Sequence, residues 1–368
     1  VEDPDDLYIY SHHPPILAWM PALLTQFVGY HELGIRFGFA AVTLIGCVAL
    51  YVLTRRLTNE RVAWWALIFY SLVPMTSYMG RIPGHDPLGM TAGLLFGAVI
   101  INWLRVPNRA RLLVLLMCAW LAVWSAWPGV FIVAGMGLAA FMLGNNRQRL
   151  AVVGMGFVTI IAFVVLMISY QLQWDGAIDS IMDAFIWRTS DAAGFSDAPS
   201  FSWAEFISKM FIDLLFFASP ALLVFSVIGI FPLRKHGSRQ AIIFVAMLFL
   251  AGLGYQLVFR NASYIHDYYK FFMIPAMAIL CALAIVHIRF GRKTHRFARP
   301  AIDAVLLVSV VSGIAVLGIL HYSGQQPRID AIIETIDTQA SPEDDVIVRF
   351  NYPGYELSTG YNRVVKFY

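Results

Sequence analysis

The chain has 368 residues, 59% of them apolar and only 13% charged, with a mean hydropathy of +0.68 and a formal net charge of +3. A soluble globular domain carries about 25% charged residues, so this composition excludes one and describes an all-α polytopic membrane protein. Its three cysteines, Cys47, Cys118 and Cys281, each lie inside an apolar run and read as small membrane-core residues, neither a disulfide framework nor a metal site.

Residues 1–13 are acidic and aromatic, start without a methionine and show no signal-peptide pattern, so the expectation is a fragment of a longer protein. Pro14-Pro15 then open a stretch interrupted by Pro21 and Gln26, expected as an interfacial helix with Trp19 and Tyr30 as headgroup anchors. Ten apolar segments of roughly spanning length follow, at about 33–54, 62–79, 87–104, 110–125, 127–143, 150–171, 210–233, 240–258, 268–288 and 300–321. The loop 172–209 is too long for a tight connection. Within it, Ile178, Ile181, Met182, Phe185 and Ile186 recur near helical spacing, which predicts a surface helix over Asp175 to Trp187. Ser190 to Ser202 reads as a loop. After residue 322 the tail alternates in VIVRF and again in RVVKFY, two strand patterns that suggest a small extracytoplasmic α/β segment. Two units result: a transmembrane domain over 1–321 and a C-terminal segment over 322–368.

The loops predict the orientation. One set carries Arg55, Arg56 and Arg61; Arg105, Arg109 and Arg111; Arg147 and Arg149; Arg234, Lys235 and Arg239; and Arg289, Arg292, Lys293, Arg296 and Arg299, most of the 26 basic residues. By the positive-inside rule these loops are cytoplasmic. The other set holds nearly all the acid and most of the histidine, so the chemistry is expected on the extracytoplasmic face.

Three outer segments bring ionisable groups to that face. Tyr78 to Met90, YMGRIPGHDPLGM, presents Arg81, His85 and Asp86 between two apolar runs. Asp86 precedes Pro87 and reads as an N-cap with proline at the first helical position; the alternative is a functional carboxylate facing a cavity. His12 and His13 precede prolines, so their backbone is extended and their side chains diverge. NASYIHDYYK, residues 261–270, clusters His266, Asp267, Tyr268, Tyr269 and Lys270. It reads either as an aromatic belt with a snorkelling lysine or as an anion site in which Lys270, Arg260 and the tyrosine hydroxyls hold a lipid phosphate. The histidines and nearby acids also offer ligands to a divalent metal, but no pair has helical i, i+4 spacing.

Together the segments resemble a family. H-P-P-φ leading into an interfacial helix, R-x-x-x-x-D-P-L opening a span and H-D-Y-Y-x-x-x-x-x-P opening a late span are similar to the GT-C membrane glycosyltransferases. The branch is that of the protein O-mannosyltransferases and the lipid A aminoarabinose transferases, and the resemblance runs from about His12 to Pro275. It implies transfer of a hexosyl or pentosyl group from a polyprenyl-phosphate carrier to a lipid, glycan or protein acceptor. It also implies location in the cytoplasmic membrane, with no nucleic-acid partner. Asp86 becomes a second carboxylate that orients the acceptor or a metal. Asp3, Asp5 and Asp6 are candidates for the base, or the remainder of a loop whose base lies upstream. His13, Arg81, His85, Arg260, His266, Tyr268, Tyr269 and Lys270 become substrate-binding residues. The lysine-glycine pair that members often carry is absent from Ser125-Ala126-Trp127-Pro128-Gly129. The rival reading is a transporter or flippase, which would place polar groups at mid-span.

Overall fold

The computed structural model describes residues 14–29, 32–173, 175–189, 201–290, 298–322, 346–349 and 364–367. The apolar runs become helices: α1 (Ile16–Val28), α2 (Glu32–Leu57), α3 (Glu60–Leu72), α4 (Pro74–Met79), α5 (His85–Arg105), α6 (Arg109–Ser125), α7 (Trp127–Leu143) and α8 (Asn146–Gln173). They continue as α9 (Ala177–Thr189), α10 (Trp203–Phe217), α11 (Pro220–His236), α12 (Arg239–Val258) and α13 (Arg260–Ile265). A 3₁₀ turn over Asp267–Met273 leads into α14 (Ile274–Phe290), followed by α15 (Ala298–Tyr322). Two short strands, Val346–Arg349 and Val364–Phe367, pair antiparallel with Val346 opposite Phe367. The rest of the tail lies outside the described residues, as do Tyr30 and the expected loop over 190–200.

Five helical stretches among the described residues are long and apolar enough to cross a bilayer: Leu33–Leu57, His85–Arg105, Asn146–Gln173, Arg239–Val258 and Asp267–Phe290. Their exposed side chains are apolar. On α8, Phe157, Ile160, Ile161, Val164 and Ile168 all face outward, a patch that a water-soluble surface rarely carries. The protein is an integral membrane protein.

Two expected spans are broken. Residues 62–79 divide into α3 and α4 at Val73, whose extended backbone precedes Pro74; the residue before a proline is pushed out of the helical region. The span expected over 210–233 divides into α10 and α11, bent by 108°. There Ser219 takes a positive φ of 77° before Pro220, and its side chain accepts from Leu222 N at 3.3 Å to start the new helix. The ninth span starts as the 3₁₀ turn before becoming regular at Ile274.

The core is built around α5 and α14, which are buried along most of their lengths. α5 packs between α2, α6 and α7; α14 packs between α3 and α11. Close approach is bought with missing side chains: a Cβ on Gly129 of α7 would stand 3.0 Å from the Cα of Gly89 on α5. Small residues at such crossings let helix backbones meet, the usual device where lipid offers no hydrophobic contrast.

The loop alternation read from sequence is visible as two ends. At one end Arg105 donates to the Arg56 carbonyl at 2.7 Å and Gln148 to the Leu104 carbonyl at 2.8 Å. There too Arg61 covers the Phe290 ring, and His236 and His287 lie 5.6 Å apart. At the other end the first turn of α5, the end of α9, the end of α12 and the α13–3₁₀ corner converge.

Candidate active site

Asp86 sits in the first turn of α5, but it is not the cap. Gly84 holds the N-cap position with extended backbone and no side-chain bond. The expectation of a capping aspartate is corrected: the helix starts two residues earlier, at His85, and Pro87 falls at its third position. Asp86 is 2% exposed, and its Oδ1 accepts no hydrogen bond from the described residues. Its near neighbour is His85, whose Nε2 lies 3.4 Å from that oxygen. A buried carboxylate oxygen without a hydrogen bond is costly, so something other than local helix stability accounts for it.

α12 supplies the opposite wall. Tyr255 is buried, within electrostatic range of Asp86, and its hydroxyl shares a hydrogen bond with Tyr269. The two rings are 5.0 Å apart. Tyr269 and Tyr268 belong to the 3₁₀ turn, and the His266 ring lies 5.0 Å from Tyr268 and 5.6 Å from Tyr269. His266 is also within electrostatic range of His85. So Asp86, His85, Tyr255, Tyr269 and His266, from α5, α12 and the α13–3₁₀ corner, form one cluster. Burial, then the nearby positive charges of Arg188 and Lys270 and finally His85, hold the His266 imidazole down at about 4, so it is neutral at pH 7.

Arg188, at the end of α9, is the residue that sequence reading missed. It is half-buried and within electrostatic range of His85, His266 and Tyr255. No carboxylate pairs with it among the described residues. α9 is held in place by Asn261, whose Nδ2 donates to the Trp187 carbonyl at 2.9 Å, and by an edge contact of Phe185 on Phe259. Arg188 stands alone in its helix, so no local pattern marks it; only the docking of α9 onto α13 reveals it.

Lys270 is placed otherwise than expected. It is fully buried, and its ammonium donates to the Ser263 carbonyl at 2.5 Å and the His266 carbonyl at 3.2 Å, while pairing with Asp213 Oδ2 at 2.8 Å. An ammonium has three donors, and all three are used within the protein, on two carbonyls and one carboxylate. Arg260 lies over the Trp203 ring at 5.3 Å, and the exposed Arg81 over Tyr78 at 6.0 Å. Asp3, Asp5, Asp6, His12 and His13 lie outside the described residues. Among the described residues no three His, Cys, Asp or Glu side chains converge as metal ligands. His85 and Asp86 make a pair only.

Residues 12–174 match the family model described as dolichyl-phosphate-mannose-protein mannosyltransferase. The fold is similar to that of ArnT from Cupriavidus metallidurans bound to undecaprenyl phosphate, at a TM-score of 0.63 and 15% identity over 92% of this chain and 72% of that one. The protein has the fold of the GT-C membrane glycosyltransferases. The apo form of the same ArnT gives 0.60 at 14% identity. The archaeal oligosaccharyltransferase AglB from Archaeoglobus fulgidus, in complex with an inhibitory peptide and a dolichol-phosphate, gives 0.57 at 12% identity over 90% of this chain and 50% of that one. No curated protein matches the chain in sequence. In this GT-C frame the cluster around Asp86 lies at one end of the bundle, and the middles of α5, α12 and α14 carry no Asp, Glu, Lys, Arg or His. That arrangement favours interfacial chemistry over transport.

Proposed function

We propose that the protein transfers a sugar from a polyprenyl-phosphate carrier to an acceptor hydroxyl at the histidine- and carboxylate-bearing end of its bundle. The observation that carries this reading is a buried Asp86, whose Oδ1 has no hydrogen-bond partner among the described residues, in one cluster with Arg188, which pairs with no carboxylate among the described residues, within a GT-C fold matched over residues 12–174 by a lipid-phosphate mannosyltransferase model. In such a transfer the bond between the sugar's anomeric carbon and the phosphate oxygen breaks, and the acceptor oxygen takes that carbon. The acceptor proton goes to a carboxylate base, and the departing phosphate needs a preorganised cation. Arg188 supplies the cation, in the bidentate form that guanidinium gives to phosphate. Neutral His266 and the hydroxyls of Tyr268 and Tyr269 supply uncharged hydrogen bonds. Asp86 orients the acceptor, with Asp3, Asp5 or Asp6 as the base.

The finer reading places ten spans in the cytoplasmic membrane with the cluster outside, because the arginine-bearing ends gather opposite to it. Residues 322–368 follow as an extracytoplasmic segment. The sugar is hexosyl or pentosyl, and the acceptor a lipid, a glycan or a protein. Purified full-length protein incubated with a polyprenyl-phosphate-linked hexose or pentose and membrane extract as acceptor source tests the reading. Release of polyprenyl phosphate coupled to labelled acceptor is the expected result; facilitated movement of the intact donor across liposomes, without cleavage, would replace transfer by transport.

A further inference from the structure

We infer that the buried Lys270–Asp213 pair is a positioning device that sets the corner carrying His266, Tyr268 and Tyr269 against Asp86 and Arg188. Ser263 and His266 belong to the end of α13, where carbonyls have no partner further along the helix. Lys270 reaches back from the 3₁₀ turn and takes both. Its third contact crosses to Asp213 on α10, a helix from the far side of the 108° bend. One cation therefore ties three elements at one point, and the His266 carbonyl among them fixes the residue whose ring stacks on Tyr268.

Two lysines and two carboxylates share this corner, since Asp267 is also within electrostatic range of Lys270, Lys209 and Asp213. Asp213 also accepts from Lys209, one turn earlier on α10, at 3.1 and 3.2 Å from its two oxygens. Lys209 is one-third exposed, whereas Lys270 has no exposure at all. The buried lysine is thus spent on backbone carbonyls and one carboxylate, without a donor left for substrate. Buried pairs of this kind add little net stability relative to an apolar pair; what this one does add is a fixed distance between α10 and the corner beside the site.

The inference rests on the glycosyl-transfer reading for its kinetics only. Four forms of the full-length protein are compared: wild type, Lys270→Met, Asp213→Leu and the double variant Asp213→Leu/Lys270→Met. Each is measured for thermal midpoint, for kcat and donor KM in transfer from a polyprenyl-phosphate sugar, and for the rate at which diethyl pyrocarbonate modifies His266, read by mass spectrometry. Lys270→Met lowers kcat by roughly ten- to a hundredfold, the range that a misplacement of about 1 Å produces, leaves donor KM nearly unchanged and speeds His266 modification. The double variant recovers the thermal midpoint but keeps the kcat defect and the fast modification. Recovery of kcat and modification rate together with the midpoint would reduce the pair to a stability element. A rise in donor KM at constant kcat would return Lys270 to the phosphate. If the wild type transfers no sugar from any lipid phosphate, the function reading fails alone, and the modification rates still decide whether the pair sets the corner.

Discussion

Replacing Asp86 by asparagine separates a functional carboxylate from an inert one. The side chain keeps its shape, and because Gly84 is the N-cap of α5, no cap is lost. Asp86 is 2% exposed, its Oδ1 accepts no hydrogen bond from the described residues and its near neighbour is His85 Nε2 at 3.4 Å. A buried polar atom without a partner costs about 1–3 kcal/mol, and asparagine inherits that cost without adding a buried charge. The thermal midpoint is therefore expected to stay level or rise. If the charge orients the acceptor in the transition state, its removal costs about 2.7–4 kcal/mol, the effect of deleting one preorganised electrostatic group, which is roughly a hundred- to a thousandfold in rate. The assay follows labelled sugar from a polyprenyl-phosphate donor in liposomes, with thermal unfolding recorded in parallel. Turnover within a few-fold of wild type in Asp86→Asn would refute the reasoning.

Arg188→Met should raise donor KM roughly tenfold or more, since a charge-assisted hydrogen bond contributes about 1.5–3 kcal/mol, while leaving the fold intact; unchanged donor affinity would remove Arg188 from the phosphate. His266 has a folded-state value of about 4 against an ordinary 6.5, so the unfolded chain binds its proton more readily. The stability it contributes is complete above 6.5 and is lost as pH falls through 4; a thermal midpoint whose acid slope is identical in His266→Gln would contradict this. A cysteine placed at Gly237 should react with an impermeant thiol reagent only after the membrane is opened, because it lies among the arginine-bearing ends; labelling in intact cells would reverse the orientation.

Much of the fold was legible because a bilayer imposes length and composition on each segment. The helices fall near the expected runs, and the surface helix expected over 175–187 is α9. What escaped were features set by neighbours distant in sequence. The break at Ser219 was signalled by Pro220, but apolar composition continues across it and conceals the bend. Lys270 looked like a cation at an interface, and nothing local tells that Asp213 reaches it across the bundle. Arg188 carries no motif, since its three neighbours come from α5, α12 and the α13–3₁₀ corner. The glycines at 89, 93 and 97 of α5 form a stripe of close helix contact, a spacing that in sequence does not tell which helix it will meet. Asp86 and His266, by contrast, were expected to share one site, and the structure brings them to one cluster through Tyr255 and Tyr269.

The central claim is that a lipid phosphate lodges between the end of α9 and the corner that bears His266. A polyprenyl-phosphate analogue with a photoreactive group beside the phosphate, crosslinked to the full-length protein in membranes and mapped by mass spectrometry, tests it directly. Crosslinks should concentrate at residues 185–189 and 266–269 and disappear when excess unmodified polyprenyl phosphate is added. Competed crosslinks confined to the arginine-bearing end, around Arg105, Arg149 and Arg289, would contradict the account.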